Sequence, residues 1–89
     1  NGLYGTIRMH QERRHPGRVS ATELKNPDFA ALGRAAGAFG ASVARTEDFA
    51  PALEQALAAG RAAVLDLQLN PEAISTSTTL SALGAQARP

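Results

Sequence analysis

Apolar residues near the start of the chain recur with the period of an α-helix. Leu3 and Ile7 fall on one face of residues 4–14, a stretch rich in helix-forming side chains. The pattern predicts a first helix over this segment, ended by the Pro16-Gly17 pair. Residues 16–25 show no sustained period, and we expect a loop there.

A second helix is predicted after Asn26-Pro27. Asparagine accepts a hydrogen bond from a free N–H of the first turn, and proline lacks the N–H that has no partner there. We therefore expect Asn26 at the N-cap and Pro27 at the first helical position. The apolar residues that follow at helical spacing are Phe29, Leu32 and Ala36. Gly37 can adopt the left-handed conformation that ends a helix.

A third helical pattern lies further along the chain. The apolar positions that share its face are Phe49, Leu53 and Leu57. Thr46-Glu47-Asp48 precedes them, with two capping residue types and acidic charge at the helix start. With Asp48 as the cap, Pro51 falls in the first turn, where proline is tolerated. Gly60 is expected to close this helix.

Two strand patterns flank the third helix. Residues 38–45 fit a short buried strand, and residues 62–69 alternate with Leu65, Leu67 and Leu69 on one face. A strand, a helix and a strand in this order predict a parallel pair with a right-handed crossover. Two strands do not complete a parallel sheet, which is normally covered on both faces. We therefore expect an α/β fold that is an incomplete portion of a doubly wound parallel sheet.

The remaining sequence sets the domain boundaries. After Asn70-Pro71 the chain becomes polar and rich in serine and threonine. We interpret residues 1–75 as the folded part and residues 76–89 as a polar, flexible C-terminal tail.

Composition argues against several classes of protein. The 89 residues carry 9 Lys and Arg against 8 Asp and Glu, which does not favour a charge-driven nucleic-acid binder. The sequence offers neither a long apolar stretch of membrane-spanning length nor a signal-peptide pattern, so we expect a cytoplasmic protein. The 44% hydrophobic content includes 19 alanines and no cysteine, a thin basis for an independent core. Since the chain also begins at Asn1, we expect it to be a fragment of a larger protein.

The side chains offer little catalytic chemistry by themselves. His10 and His15 are too few for a zinc site, and no recognisable motif surrounds a serine nucleophile. The glycines Gly33, Gly37 and Gly40 miss the spacing of a dinucleotide-binding loop. A cluster of arginines could meet phosphate groups, but a solvated helix end is the explanation we favour; its members are Arg8, Arg13, Arg14 and Arg18.

The segment from Asn1 to Glu12 is the strongest candidate site. It is an oxygen-rich turn followed at once by a helix, which suits both a hard cation and a phosphate. An ordinary capped turn would have the same composition, and the residue types alone leave both interpretations open.

Several segments together resemble the C-terminal end of thiamine-diphosphate-dependent enzymes of the acetolactate synthase and benzoylformate decarboxylase group. The resemblance extends in order over about residues 1–80. The segments that carry it are residues 1–12, Pro16-Gly17-Arg18-Val19-Ser20, residues 26–32, Thr46-Glu47-Asp48-Phe49 and Asn70-Pro71-Glu72.

This resemblance implies a set of cofactor contacts. The Asn1 side chain and the Leu3 carbonyl would ligate a magnesium ion held against the diphosphate of thiamine diphosphate. Gly2 would give the loop its sharp course, and Tyr4-Gly5 would open the helix beside the cofactor. Residues 1–75 would be the C-terminal part of the diphosphate-binding domain. No residue of the chain is identified as catalytic.

The resemblance also implies what the chain lacks. The Gly-Asp-Gly half of the family's cofactor motif is absent, and so is the pyrimidine-binding domain with its activating glutamate. The 89 residues would therefore be inactive alone and would depend on the rest of a homo-oligomeric lyase or transferase acting on 2-oxo acids, by decarboxylation or carboligation. The alternative is a free-standing, non-catalytic α/β interaction module or remnant.

Overall fold

The computed structural model of the protein describes residues 1–87, which form two compact units. The first unit contains residues 1–25 and the segment from residue 69 onward, and the second contains Asn26–Gln68. The helices and strands, in chain order, are α1 (Gly5–Arg14), α2 (Phe29–Ala35), β1 (Phe39–Val43), α3 (Phe49–Ala58), β2 (Ala63–Leu67) and α4 (Leu80–Ala87).

The second unit is the predicted strand, helix and strand, preceded by α2. Strands β1 and β2 pair in parallel, with Phe39 opposite Ala63 and Val43 opposite Leu67. A short 3₁₀ turn at Thr46–Asp48 leads into α3. The α/β class and the parallel pairing are thus confirmed, while the hand of the crossover stays a prediction.

The start of α2 differs from the sequence prediction. The N-cap is Asp28, whose Oδ1 accepts a hydrogen bond from the N–H of Ala31 at 3.0 Å. The prediction of Asn26 as cap and Pro27 as first helical residue was wrong. Proline disfavours helical geometry in the residue before it, but it does not force the helix to begin with itself. Asp28 is an equally good cap, and its negative carboxylate is stabilised by the partial positive charge at the start of the helix.

The other predicted helix ends agree with the structure. Gly37 follows α2 with a φ of +88°, the left-handed conformation that glycine adopts without a Cβ penalty. Pro51 lies in the first turn of α3, and Gly60 comes two residues after its last residue. Asp48 occupies the N-cap position of α3, although its side chain makes no capping hydrogen bond.

Glycines bring α2 close to the sheet. A Cβ at Gly40 of β1 would lie 2.3 Å from the carbonyl oxygen of Ala30, and one at Gly33 of α2 would lie 2.8 Å from a methyl group of Val64. These two glycines are therefore explained by close packing of helix on strand. Arg34 also donates a hydrogen bond to the Gly40 carbonyl at 2.9 Å.

The second unit leaves much apolar surface uncovered. Its buried apolar side chains are small, namely Ala30, Val43 and Ala56. Leu32 on α2 and Leu57 on α3 remain 60% and 76% exposed. A two-stranded parallel sheet with so small a core matches the expectation of an incomplete sheet.

The first unit is built on the packing of α1 against α4. Helix α4 contributes the buried residues Leu80, Leu83 and Gly84. This helix lies within the segment that we interpreted as a polar, flexible tail, and the sequence pattern did not predict it. Residues 88 and 89 of that segment lie outside the described residues, and the boundary at residues 75 and 76 stays a prediction. Within residues 1–87, no helix combines the length and apolar character needed to cross a membrane.

Candidate functional site

The turn that precedes α1 has a defined conformation. Gly2 has a φ of +70°, a left-handed conformation that glycine adopts without a Cβ penalty. The Leu3 N–H donates a hydrogen bond to Oδ1 of Asn1 at 3.1 Å. A carbonyl oxygen has a second lone pair, so Oδ1 of the exposed Asn1 side chain can still bind another partner.

A neighbouring segment of the loop holds this turn in place. The Leu24 N–H donates to the Gly2 carbonyl at 2.8 Å, and the Tyr4 N–H donates to the Thr22 carbonyl at 2.9 Å. These two bonds bracket Leu3 on either side, where it forms an antiparallel bridge with Glu23. Among residues 1–87, no hydrogen-bond donor reaches the Leu3 carbonyl oxygen. This oxygen is a second acceptor with unused capacity in the same turn.

The N-terminus of α1 adjoins the turn. Its N-cap residue is Tyr4, which makes no side-chain capping bond, and its first turn contains no acidic residue. A Cβ at Gly5 would lie 3.3 Å from Nδ2 of Asn1 and 3.7 Å from Cδ1 of Ile74. The absence of a side chain at Gly5 thus lets the Asn1 amide lie against the start of the helix. A ten-residue helix carries partial positive charge at this end, which favours an anion.

The donor set of the turn fits part of a magnesium site. Magnesium prefers six oxygen ligands, and it often keeps waters and binds phosphate oxygens together with one or two protein ligands. Asn1 Oδ1 and the Leu3 carbonyl oxygen are hard, neutral donors of this kind. The part of the chain that the structure describes contains no group of three His, Asp or Glu side chains that could hold a metal alone.

The structure leaves the other candidate residues on the surface. His10 and His15 are exposed, and Arg13 and Arg14 lie in the last turn of α1, where cations are favoured. Arg18 lines a shallow depression with Gln11 and His15.

An open cleft of about 460 Å³ lies beside the turn within the first unit. Its charged walls are Arg8 and Glu12 of α1 and Glu72 from the segment before α4. The Arg8 side chain is only 20% exposed and lies 4.0 Å from the Glu23 carboxylate. The cleft also reaches Leu3, so it borders the turn that contains the two candidate oxygen donors.

Glu72 has a structural role that no pattern in the sequence predicts. Its carboxylate accepts a hydrogen bond from the Ser81 N–H at 2.9 Å, and its carbonyl accepts one from the Leu80 N–H at 3.1 Å. Thr79 is the N-cap in geometry, since its hydroxyl oxygen accepts from the Ala82 N–H at 3.1 Å. The hydrogen bonds from Ser81, and secondarily the charge of Arg8, lower the pKa of Glu72. Oδ1 of Asn70 accepts a hydrogen bond from the Glu72 N–H at 3.0 Å, and this bond fixes the backbone just before Glu72.

We expect Glu72→Gln to reduce the dependence of stability on acid pH. Because the pKa of Glu72 is lowered on folding, its contribution is present above the unfolded pKa, about 4.3 for glutamate, and is lost as the pH falls through the folded value. Urea denaturation of both proteins between about pH 6 and pH 3 measures this difference. Glu47, whose pKa is also lowered, is present in both proteins and cancels in the comparison.

Glu54→Gln, which removes a carboxylate from the exposed face of α3, is the matched control. Equal slopes of stability against pH for Glu72→Gln and the wild type would show that the carboxylate does not stabilise α4.

Comparison with known families identifies a match over most of the chain. Residues 1–67 match the model of the family described as thiamine pyrophosphate enzyme, C-terminal TPP binding domain. The matched region includes the Asn1–Gly5 turn and ends at Leu67, the last residue of β2. Helix α4 lies after the matched region.

Proposed function

This chain belongs to the family of C-terminal TPP-binding domains of thiamine pyrophosphate enzymes, and from that premise we propose that its Asn1–Gly5 turn binds the cofactor diphosphate through a magnesium ion. The observation that carries the proposal is the pair of oxygens with unused acceptor capacity, Asn1 Oδ1 and the Leu3 carbonyl, in one turn at the N-terminus of α1.

Each residue of the turn has a distinct role in this proposal. Asn1 and Leu3 supply two oxygen ligands, and the positive φ of Gly2 lets the chain turn between them. Tyr4 and Gly5 begin the helix whose free N–H groups favour the diphosphate. The remaining ligands come from the diphosphate, from water and from a carboxylate outside this chain.

The whole enzyme would act on 2-oxo acids by decarboxylation or carboligation, as in the acetolactate synthase group. Bound thiamine diphosphate supplies the electron sink for breaking or forming a bond next to a carbonyl. The residues of this chain bind and orient the cofactor at its diphosphate end, and they are inactive without the pyrimidine-binding domain and the N-terminal half of the diphosphate-binding domain. We place the enzyme in the cytoplasm as a homo-oligomer that binds neither nucleic acid nor membranes.

Asn1→Ala tests this assignment in the intact polypeptide that contains the chain. We expect the affinity for magnesium, titrated calorimetrically at saturating thiamine diphosphate, to fall by at least about tenfold, since even groups that only support a metal ligand have effects of this size. Asn1→Asp keeps a ligand oxygen and should retain binding. Asn26→Ala, an exposed asparagine of the second unit, is the matched control.

Unchanged magnesium affinity in Asn1→Ala would exclude the side chain as a ligand. The intact mass of the polypeptide, measured under denaturing conditions, separates the two functional hypotheses. A mass of 9.2 kDa together with no binding of thiamine diphosphate would favour the non-catalytic module.

A further inference from the structure

The Gln11 side chain fastens the loop after α1 to the middle of that helix. Its Nε2 donates a hydrogen bond to the Ser20 carbonyl at 2.9 Å. Its Oε1 accepts from the Thr22 hydroxyl at 3.2 Å and from the Ser20 N–H at 3.4 Å. One amide side chain thus bonds to residues on both sides of Ala21.

The backbone of Ala21 is strained. The three hydrogen bonds of the Gln11 side chain to Ser20 and Thr22, which we call the Gln11 clamp, explain how this conformation is maintained. Ala21 has a φ of +59°, and among the described residues it is the one non-glycine residue with a positive φ. Such a conformation is unfavourable for a residue with a Cβ, and it persists where surrounding contacts determine the backbone. The Gln11 bonds to Ser20 and Thr22 are those contacts.

The clamped segment is the one that holds the proposed metal-binding turn. Thr22 is only 3% exposed, its hydroxyl donates to Gln11, and its carbonyl accepts the Tyr4 N–H. Two residues later, the Leu24 N–H reaches the Gly2 carbonyl. Hydrogen bonds, together with the backbone from Thr22 to Leu24, therefore connect Gln11 to the backbone on both sides of Leu3.

We infer that Gln11 is a positioning residue for the Leu3 carbonyl ligand, an inference that rests on the proposed function of the Asn1–Gly5 turn. Gln11 does not touch the metal. It holds Ser20–Thr22 in the conformation that pairs with Gly2 and Tyr4, and this pairing fixes the peptide that carries the Leu3 oxygen. Without the clamp, Ala21 relaxes to a negative φ and the pairing loosens.

Gln11→Ala in the intact polypeptide is the central variant. We expect its magnesium affinity at saturating thiamine diphosphate to fall about tenfold, the usual scale for removing a group that orients a metal ligand. Without metal or cofactor, hydrogen–deuterium exchange should become faster at the Tyr4 and Leu24 amides. Gln11→Glu keeps the acceptor for Thr22 and loses the donor to Ser20, so its affinity should lie between those of Gln11→Ala and the wild type.

Gln55→Ala is the matched control, because Gln55 is an exposed glutamine inside α3. It should change neither magnesium affinity nor exchange at Tyr4 and Leu24. A purely structural role of Gln11 would lower the unfolding midpoint while the folded protein kept its magnesium affinity. If Gln11→Ala does not fold, Gln11→Glu carries the test.

The outcomes distinguish the two proposals. If the wild type binds magnesium and Gln11→Ala binds it equally well, the positioning role is overturned and the proposed function stands. If the wild type itself shows no magnesium-dependent binding of thiamine diphosphate, the proposed function fails, and the role of Gln11 toward the metal fails with it.

Discussion

Gly40→Ala is expected to lower the free energy of unfolding by about 3 kcal/mol, at the upper end of the usual cost of overpacking. The added Cβ would lie 2.3 Å from the Ala30 carbonyl oxygen and 2.9 Å from Cγ of Arg34. The Arg34 side chain can move, but the Ala30 carbonyl belongs to the backbone of α2. The helix must therefore move away from β1, which also weakens the packing of Gly33 on Val64.

Urea denaturation measures this effect, with Gly37→Ala as the matched control. Apart from the chain neighbours of Gly37, no atom of the described residues lies within 4 Å of its Cβ position, so its substitution adds only left-handed strain of about 1 kcal/mol. Equal destabilisation by the two substitutions would mean that the close approach of α2 to β1 contributes nothing beyond backbone strain.

Leu80→Ala is expected to lower the free energy of unfolding by about 3 kcal/mol, within the range for large-to-small substitutions at buried sites. Leu80 is 4% exposed at the first position of α4, where its N–H also bonds to the Glu72 carbonyl. Truncation leaves a cavity between α4 and the structure around it, and it removes apolar area from a unit whose core is small. The unfolding midpoint in urea and the slope of the transition test the prediction.

Leu69→Ala is the control within the same unit, because this leucine is 61% exposed. Its expected effect is about 0.5 kcal/mol or less, as for most surface substitutions. If Leu80→Ala were as mild as Leu69→Ala, α4 would not be packed on α1 as the structure shows.

The local pattern predicted most of the secondary structure. The spacing of Phe49, Leu53 and Leu57 indicated α3, and the alternation around Leu65 indicated β2. These signals are local, since the helical and strand periods can be recognised from the spacing of apolar residues within a short segment. The predicted position of the α2 N-cap was wrong because Asn26 and Asp28 are both good capping residues. The structure shows that Asp28 is the cap, because its carboxylate accepts the hydrogen bond from the Ala31 N–H.

Helix α4 was not predicted from the sequence, and the reason is physical. Its residues are mostly small, and only Leu80 and Leu83 mark a buried face. Its start depends on the carboxylate of Glu72, nine positions before Ser81 in the sequence. Such a contact has no periodic signature, because it forms only when the chain folds back on itself.

One part of the candidate site was predicted from the sequence, and another part was seen only in the structure. The turn at Asn1-Gly2-Leu3 was predicted from residue types and from the family resemblance, and the family match supports its assignment to a TPP-binding domain. The clamp by Gln11 was not predicted, because glutamine in a helix is ordinarily a solvent-exposed residue. Its partners Ser20 and Thr22 lie 9 and 11 positions later in the sequence, beyond the reach of any local pattern.

The sequence by itself therefore determined the α/β class, the order of the elements from α1 to β2, the parallel pairing and the membership of a thiamine pyrophosphate enzyme family, because periodicity and motifs are properties of neighbouring residues. The tertiary structure alone decided the packing of α4, the close approach at Gly40 and the support of Leu3 by the Gln11 clamp. Each of these depends on atoms distant in sequence that meet at contact distance, and steric fit and hydrogen-bond geometry are set only there.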